Sequence, residues 1–282
     1  MTRKRIAHAA VLALLLAVGA WAGPPPPATP EGVLSFADTL LRSGDSFRAA
    51  TEYMRFLHHF PDDPRAPRAL EGLGRAYALA GRWAEAAGAF GRLDREAPST
   101  EARRLLGAAL YRGGRPLEAA RLLLAPGAEE PDRVLGTLAL LRAGRAREPL
   151  PGVRTDIVEG YESLPRKSPF TAAALAAVLP GAGHLYVGRP RDAAVSFVLN
   201  GVFLWGTWRA ARNGQWALAG VLGLFEAGWY GGNVVSAANG AHKWNRREAR
   251  RFFSRWEAGV IPRWNLVLLP AGGGALRVSW RW

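Results

Sequence analysis

Five histidines, no cysteine and a thin scatter of acids limit the chemistry open to this 282-residue chain. His58 and His59, followed by Asp62 and Asp63, are its densest run of metal-ligand types. Adjacent histidines on a helix point about 100° apart, and no third ligand follows at zinc-like spacing, so the run reads as the end of a helix. Without cysteine there is no thiol nucleophile, thiolate metal centre or disulfide. No Ser-His-Asp set and no phosphate-cradling glycine loop is present, so neither catalysis nor a cofactor is expected. Two more ionisable groups, His184 and Glu226, stand in apolar surroundings. Together they could begin a proton or ion path in a transporter or channel subunit. A path needs several such groups in series, and interhelical packing is the commoner use of isolated polar residues.

The segments that must position these residues are of two kinds. From Pro30 to Lys167 there are 21 basic and 19 acidic residues and a single tryptophan, Trp83. From Ser168 to Trp282 there are 13 basic and 4 acidic residues and 9 of the 11 tryptophans. The first part has the balance of a soluble domain and the second that of a domain built for lipid. Ahead of both, Arg3, Lys4 and Arg5 precede an apolar run from Ala9 to Val18 and a small-x-small site at Ala20-Trp21-Ala22. That is the pattern of a secretory signal peptide over 1–22, with an uncleaved anchor as the alternative. Such a segment directs the repeats out of the cytoplasm, and no cysteine is present to carry a lipoprotein's lipid. Residues 23–30 read as a stiff Pro-rich spacer.

Over 31–148 the chain repeats with a period near 34. The clearest unit holds Leu73, Gly74, Tyr77, Gly81, Ala86, Phe90 and Pro98, and the same slots recur as Phe36, Ala37, Leu40, Gly44, Ala49, Tyr53 and Pro61. Leu106, Gly107, Leu110, Gly114, Ala119 and Leu123 repeat them again, and residues 131–145, with Gly144 at the turn, begin a fourth. Small residues at Gly74 and Ala86 let the helices of one hairpin approach, Tyr77 and Phe90 fill the space, Gly81 makes the turn, and Pro98 stops the second helix. These slots resemble the tetratricopeptide repeat. The resemblance implies a short helical superhelix whose concave groove holds a peptide or a partner's helix. Arg42, Arg75 and Arg112, on first helices, are candidate groove residues, with a solvated face as the competing use. The wording from Tyr53 through Phe60-Pro61-Asp62-Asp63-Pro64 is also similar to repeats of periplasmic envelope-assembly proteins.

After a linker at 149–167, residues 168–242 hold three apolar segments, the first broken at Pro180-Gly181-Ala182-Gly183. Three in succession, ringed by Trp205, Trp208, Trp216, Trp229 and Trp244, point to a transmembrane domain, with three crossings preferred to two. Pro180, Gly181, Gly183, His184, Tyr186 and Gly188 resemble the glycine-rich signature of the TM-two domain family, which implies paired membrane helices and no catalytic chemistry. In the third segment Ala219, Gly223, Ala227 and Gly231, with Gly228, Gly232, Ser236 and Gly240 beside them, form a small-residue ridge of the kind through which membrane helices associate. Glu226 and Asn233 share a face there, and Ser196, Asn200 and Thr207 form a polar stripe on the second segment. The two stripes are expected to meet, with Glu226 hydrogen-bonded, because an acid at mid-membrane costs roughly 3 kcal/mol.

The tail, 243–282, alternates Lys243, Arg246, Arg247, Arg250, Arg251 and Arg255 with Trp244, Phe252, Phe253 and Trp256, as a basic amphipathic helix lying at lipid headgroups would. Trp264 to Leu269, a glycine turn at 272–274, and Leu276, Val278, Trp280 and Trp282 read as a β-hairpin. The whole is therefore expected to be all-α, with a small terminal hairpin. The expected function is a non-catalytic membrane adaptor of the bacterial envelope, in the inner membrane with its repeats in the periplasm. The expected partners are a protein or peptide in the groove, membrane lipids, and a second copy through the small-residue faces, but no nucleic acid. The alternatives are the transporter subunit and a soluble periplasmic repeat protein docked on a membrane complex.

Overall fold

The computed structural model describes residues 29–261, 268–270 and 276–278. The expected signal peptide and nearly all of the Pro-rich spacer lie outside the described residues. Two compact units divide the chain, one ending at Leu123 and taking in the residues after Ile261, the other running from Leu124 to Ile261.

The first unit contains three helical hairpins. The helices are α1 (Pro30–Arg42), α2 (Ser46–His59), α3 (Ala66–Leu79), α4 (Trp83–Glu96), α5 (Thr100–Arg112) and α6 (Pro116–Leu123), each packed on the next in sequence. Their starts are written in short polar side chains: Thr29, Asp45 and Ser99 accept hydrogen bonds from the backbone N–H of Gly32, Arg48 and Ala102, satisfying donors the helix leaves open. Each hairpin turns on a glycine, Gly44, Gly81 or Gly114, at φ of +85°, +72° and +78°. A side chain there would meet no neighbour at Gly81 or Gly114, so the backbone conformation alone selects glycine. Inside the hairpins the reason is space: a Cβ on Gly74 would overlap the Phe90 ring, and one on Gly107 would overlap Leu123. Tyr53, Phe56 and Phe90 are fully buried, each contributing about 1.5–3 kcal/mol through the apolar area removed from water. Tyr77 bridges successive hairpins, its hydroxyl on Met54 Sδ and its ring under the Arg82 guanidinium. Pro98 lies in the exposed break between α4 and α5. Two short strands, β1 (Leu268–Pro270) and β2 (Leu276–Val278), pair antiparallel with Leu269 opposite Arg277, where the sequence suggests a hairpin.

The second unit starts with α7 (Glu130–Arg142), the helix expected to open a fourth repeat, and Gly144 turns after it at φ +69°. Buried along most of its length, α7 packs against α8 (Thr155–Glu162) and a later helix rather than against a repeat partner. The expected linker is thus partly helical and is pinned in place. Thr137 Oγ1 accepts from the Arg154 N–H at 3.0 Å, and Arg133 Nε donates to the Gly152 carbonyl at 3.1 Å.

The three apolar segments form four helices: α9 (Pro169–Val178), α10 (Ala182–Tyr186), α11 (Pro190–Arg212) and α12 (Trp216–Val260). The first segment is not one continuous helix, because Pro180 and Gly181 break it into helices of 10 and 5 residues. These fold back on α12, around a small core of Ala172, Ala176, Val187, Ala237 and Ala241. α11 and α12 form the antiparallel hairpin on which the unit is built. α12 also runs on for 45 residues, so the basic tail is its second half and no boundary falls near 242.

Candidate functional site

Two places in the molecule gather the residues that sequence spacing singles out. In the first unit, a cavity of about 570 Å³ opens between α1, α2 and α3, lined by Ser35, Asp38, Arg42, Tyr53, Arg68, Glu71 and Arg75 among others. Tyr53 donates its hydroxyl to Asp38 Oδ1 at 2.6 Å, and the Arg68 guanidinium pairs with the other oxygen of the same carboxylate. Arg75 pairs with Glu71 at 2.6 Å on the same helix. Gly72 completes the wall, since a Cβ there would strike the Tyr53 ring. Burial first, and the hydrogen bond to Asp38 second, raise the Tyr53 phenol well above its usual value. The surface is thus a row of guanidiniums and carboxylates over a rigid aromatic floor, suited to hydrogen-bonding an extended peptide or a helix. Arg42 and Arg75 lie in it as expected. Arg112 is exposed at the end of α5 and does not line this cavity. Sequence spacing misses Asp38, Arg68 and Glu71; their signal is a four- or seven-residue separation from the two arginines on the same helix faces.

His58 and His59 sit in the exposed last turn of α2, ring against ring at 5.1 Å. Asp63 turns back on Arg65, which accounts for its role: two hydrogen bonds from the guanidinium and one from the backbone hold its carboxyl down at about 2.

In the second unit the glycine-rich motif is a packing joint. Gly181 has φ +91° and meets the Ala193 carbonyl so closely that no Cβ fits. Gly183 packs between Ala172, Ala176 and Ala237, and Gly188 turns at φ +75° into α11. His184 Nε2 lies 3.3 Å from Ser236 Oγ, and Tyr186 accepts from the Ser168 N–H at 3.1 Å. Pro180, beside Gly181, ends the preceding helix. His184 and Glu226 are not brought together. Ser236, the partner of His184, is ten residues from Glu226 along α12, or about 15 Å.

The α11–α12 hairpin has its polarity reversed. Its inner side holds Ser196, Asn200 and Glu226, all buried, with Thr207 and Asn233 half-buried beside them. Its outer side shows Val195, Phe197, Val202, Trp205, Leu224 and Phe225, the last two 77% and 65% exposed. The two polar stripes face inward as expected, but they do not pair. The Asn200 amide donates to the Ser196 carbonyl of its own helix, and both Glu226 oxygens lack a hydrogen-bond partner. At Gly223 the two helices are in ordinary contact, the Thr207 methyl lying 3.7 Å from where a Cβ would be. The small-residue ridge is only partly used. Ser236 and Gly240 are packed by His184 and Val187, while Ala227, Gly228, Gly231 and Gly232 remain exposed. Gly228 and Gly232 line an apolar cavity of about 620 Å³ with Leu224, Phe225, Trp229 and Asn233.

The basic half of α12 departs from expectation in its aromatic side. Phe252 and Phe253 stack on Tyr161 with ring centroids 5.6 Å apart, and Trp244 lies under the Lys167 ammonium. These rings belong to the interior of the unit rather than to lipid. Lys243, Arg246, Arg247, Arg250 and Arg251 are all exposed.

Among the described residues no helix is both long and apolar enough to cross a membrane. Nor do three metal-ligating side chains of the His, Cys, Asp or Glu type gather among them. No curated protein and no solved structure matches the chain. A tetratricopeptide repeat family model matches residues 34–100, which spans α1 to α4 and the whole of the mixed-charge cavity. Residues 34–100 accordingly match a tetratricopeptide repeat, a fold that generally binds other proteins.

Proposed function

We propose that this protein is a non-catalytic adaptor of the bacterial cell envelope. Its repeats, exported to the periplasm, hold a peptide or helix of a protein partner in the cavity between Asp38, Arg68 and Arg75, and its second unit tethers them in the inner membrane. The observation that carries the tether is the reversed polarity of the α11–α12 hairpin, with Asn200 and Glu226 inside and Phe197, Val202, Leu224 and Phe225 outside. In water that arrangement leaves apolar area exposed and polar groups desolvated, both unfavourable. In lipid both costs change sign or shrink, because apolar side chains find apolar surroundings and polar ones avoid them. The charge-free stretch from Ala193 to Trp208 rises about 24 Å, somewhat under a ~30 Å hydrocarbon core. Trp205, Trp208 and Trp216 crowd one end, as aromatic residues do at the interface. A hairpin enters and returns, so the residues before α11 and after α12's apolar half share one side of the membrane.

The brevity of these segments favours a second reading, in which the hairpin docks on the apolar surface of another envelope subunit. Alkaline carbonate extraction of membranes separates the two. Retention of the full chain in the pellet supports the tether, and release into the supernatant supports docking.

A further inference from the structure

The second half of α12 carries a cationic face whose charges have no ion-pair partner among the described residues. Lys243, Arg246, Arg247, Arg250 and Arg255 are exposed and form no ion pair among the described residues. The acids on this half of α12 itself are already engaged: Glu248 by Arg251 at 2.8 Å, and Glu257 by Arg142 at 2.7 Å. The aromatic side of the same helix is turned into the unit, against Tyr161 and Lys167. The large side chains fully exposed on this stretch of α12 are therefore mainly basic. A second segment adds to it. Val187 packs on Gly240, which brings the start of α11 level with this part of α12, and Arg191 is exposed there while Asp192 is held by Arg189 at 2.7 Å. Immediately towards the N-terminus of the same helix, the outward residues change to Val235, Trp229, Phe225 and Leu224.

From this juxtaposition we infer that the face formed by Arg191, Lys243, Arg246, Arg247, Arg250 and Arg255 binds the phosphate headgroups of anionic phospholipids. The inference rests on the tether reading and names the lipid class it takes. Charge complementarity requires an anionic partner, and the apolar exterior that begins about two turns away requires one whose charge borders hydrocarbon. An anionic bilayer presents both in that order. A nucleic acid satisfies the first requirement and leaves the apolar half of the helix uncovered. Because the cations are exposed, the attraction is screened by salt.

The test uses the purified full-length protein, diluted from detergent onto vesicles of phosphatidylcholine or of phosphatidylcholine mixed equally with phosphatidylglycerol, and read by co-flotation. The expected result is affinity for the anionic vesicles roughly tenfold or more above that for the neutral ones, with the difference lost in high salt. A variant with Arg246→Gln, Arg247→Gln, Arg250→Gln and Arg255→Gln, checked by circular dichroism, is expected to bind both vesicles at the neutral level. Equal affinity of the native protein for the two vesicle types overturns the inference and leaves the tether standing. Association with neither overturns both. Binding of a DNA duplex as tight as that of anionic vesicles, abolished in the same variant, reassigns the face to nucleic acid. Should the variant misfold, the lipid and salt dependence of the native protein decides the matter by itself.

Discussion

Tyr53 joins the fold of the repeats to their cavity, since its ring fills the hairpin core and its hydroxyl holds Asp38 in the lining. Its phenol is raised above the ordinary value near 10, so the folded protein keeps the proton that the unfolded chain gives up. The stabilisation from Tyr53 is thus complete below about pH 10 and declines above it. Urea midpoints of the repeats are expected to fall as pH rises above about 10, and Tyr53→Phe is expected to flatten that part of the decline due to this group. Asp63 has the opposite sign. Its carboxyl is lowered to about 2 from 3.8, so its contribution is present above the unfolded value and lost as pH falls towards the folded one. Gly74 tests packing in place of charge. Gly74→Val drives a side chain into the Phe90 ring and is expected to cost about 1–3 kcal/mol by chemical denaturation, whereas Gly88→Val, at an open position, lacks this clash.

Helices and joints are where sequence and structure part company. The repeat hairpins are legible because each has a local signature: an N-capping Ser, Thr or Asp, a glycine the turn demands, or a small residue opposite an aromatic one. The first apolar segment misleads for want of a long-range fact. Its composition matches a span, but Gly181 and Gly183 exist to fit against Ala193 and Ala237, which no local pattern reveals. The alternation of arginines and aromatics after residue 242 suggests one lipid-facing surface for a similar reason. Which face of α12 is free depends on Tyr161, more than eighty positions earlier. The inward use of those rings is testable. Phe252→Ala is expected to destabilise the second unit by about 3–5 kcal/mol in a thermal melt, an effect too large for a ring resting in headgroups. Gly183→Leu is expected to loosen α10 from α12, read as accelerated amide exchange in residues 182–188.

At the scale of the molecule, a unit with tetratricopeptide-like hairpins is followed by one whose longest hairpin buries polar groups and displays apolar ones. The unlike composition of the two parts averages to a mean hydropathy of −0.04. The cavity of the repeats is half legible: Arg42 and Arg75 can be named from spacing, while Tyr53 comes to them from folding the first hairpin. The reversed hairpin is legible as a pair of stripes, but the unpartnered state of Glu226 is not, because it depends on which groups the facing helix brings opposite it. The most direct test of the tether asks what surrounds that hairpin. The chain has no cysteine, so single cysteines at Val202, Leu224 and Ala258 can each carry a fluorophore on the full-length protein reconstituted in vesicles. We expect the labels at 202 and 224 to be quenched by nitroxide on the lipid chains and shielded from iodide, with the reverse at 258. Iodide quenching at 202 and 224 equal to that at 258 would contradict the tether, leaving the apolar hairpin outside the bilayer.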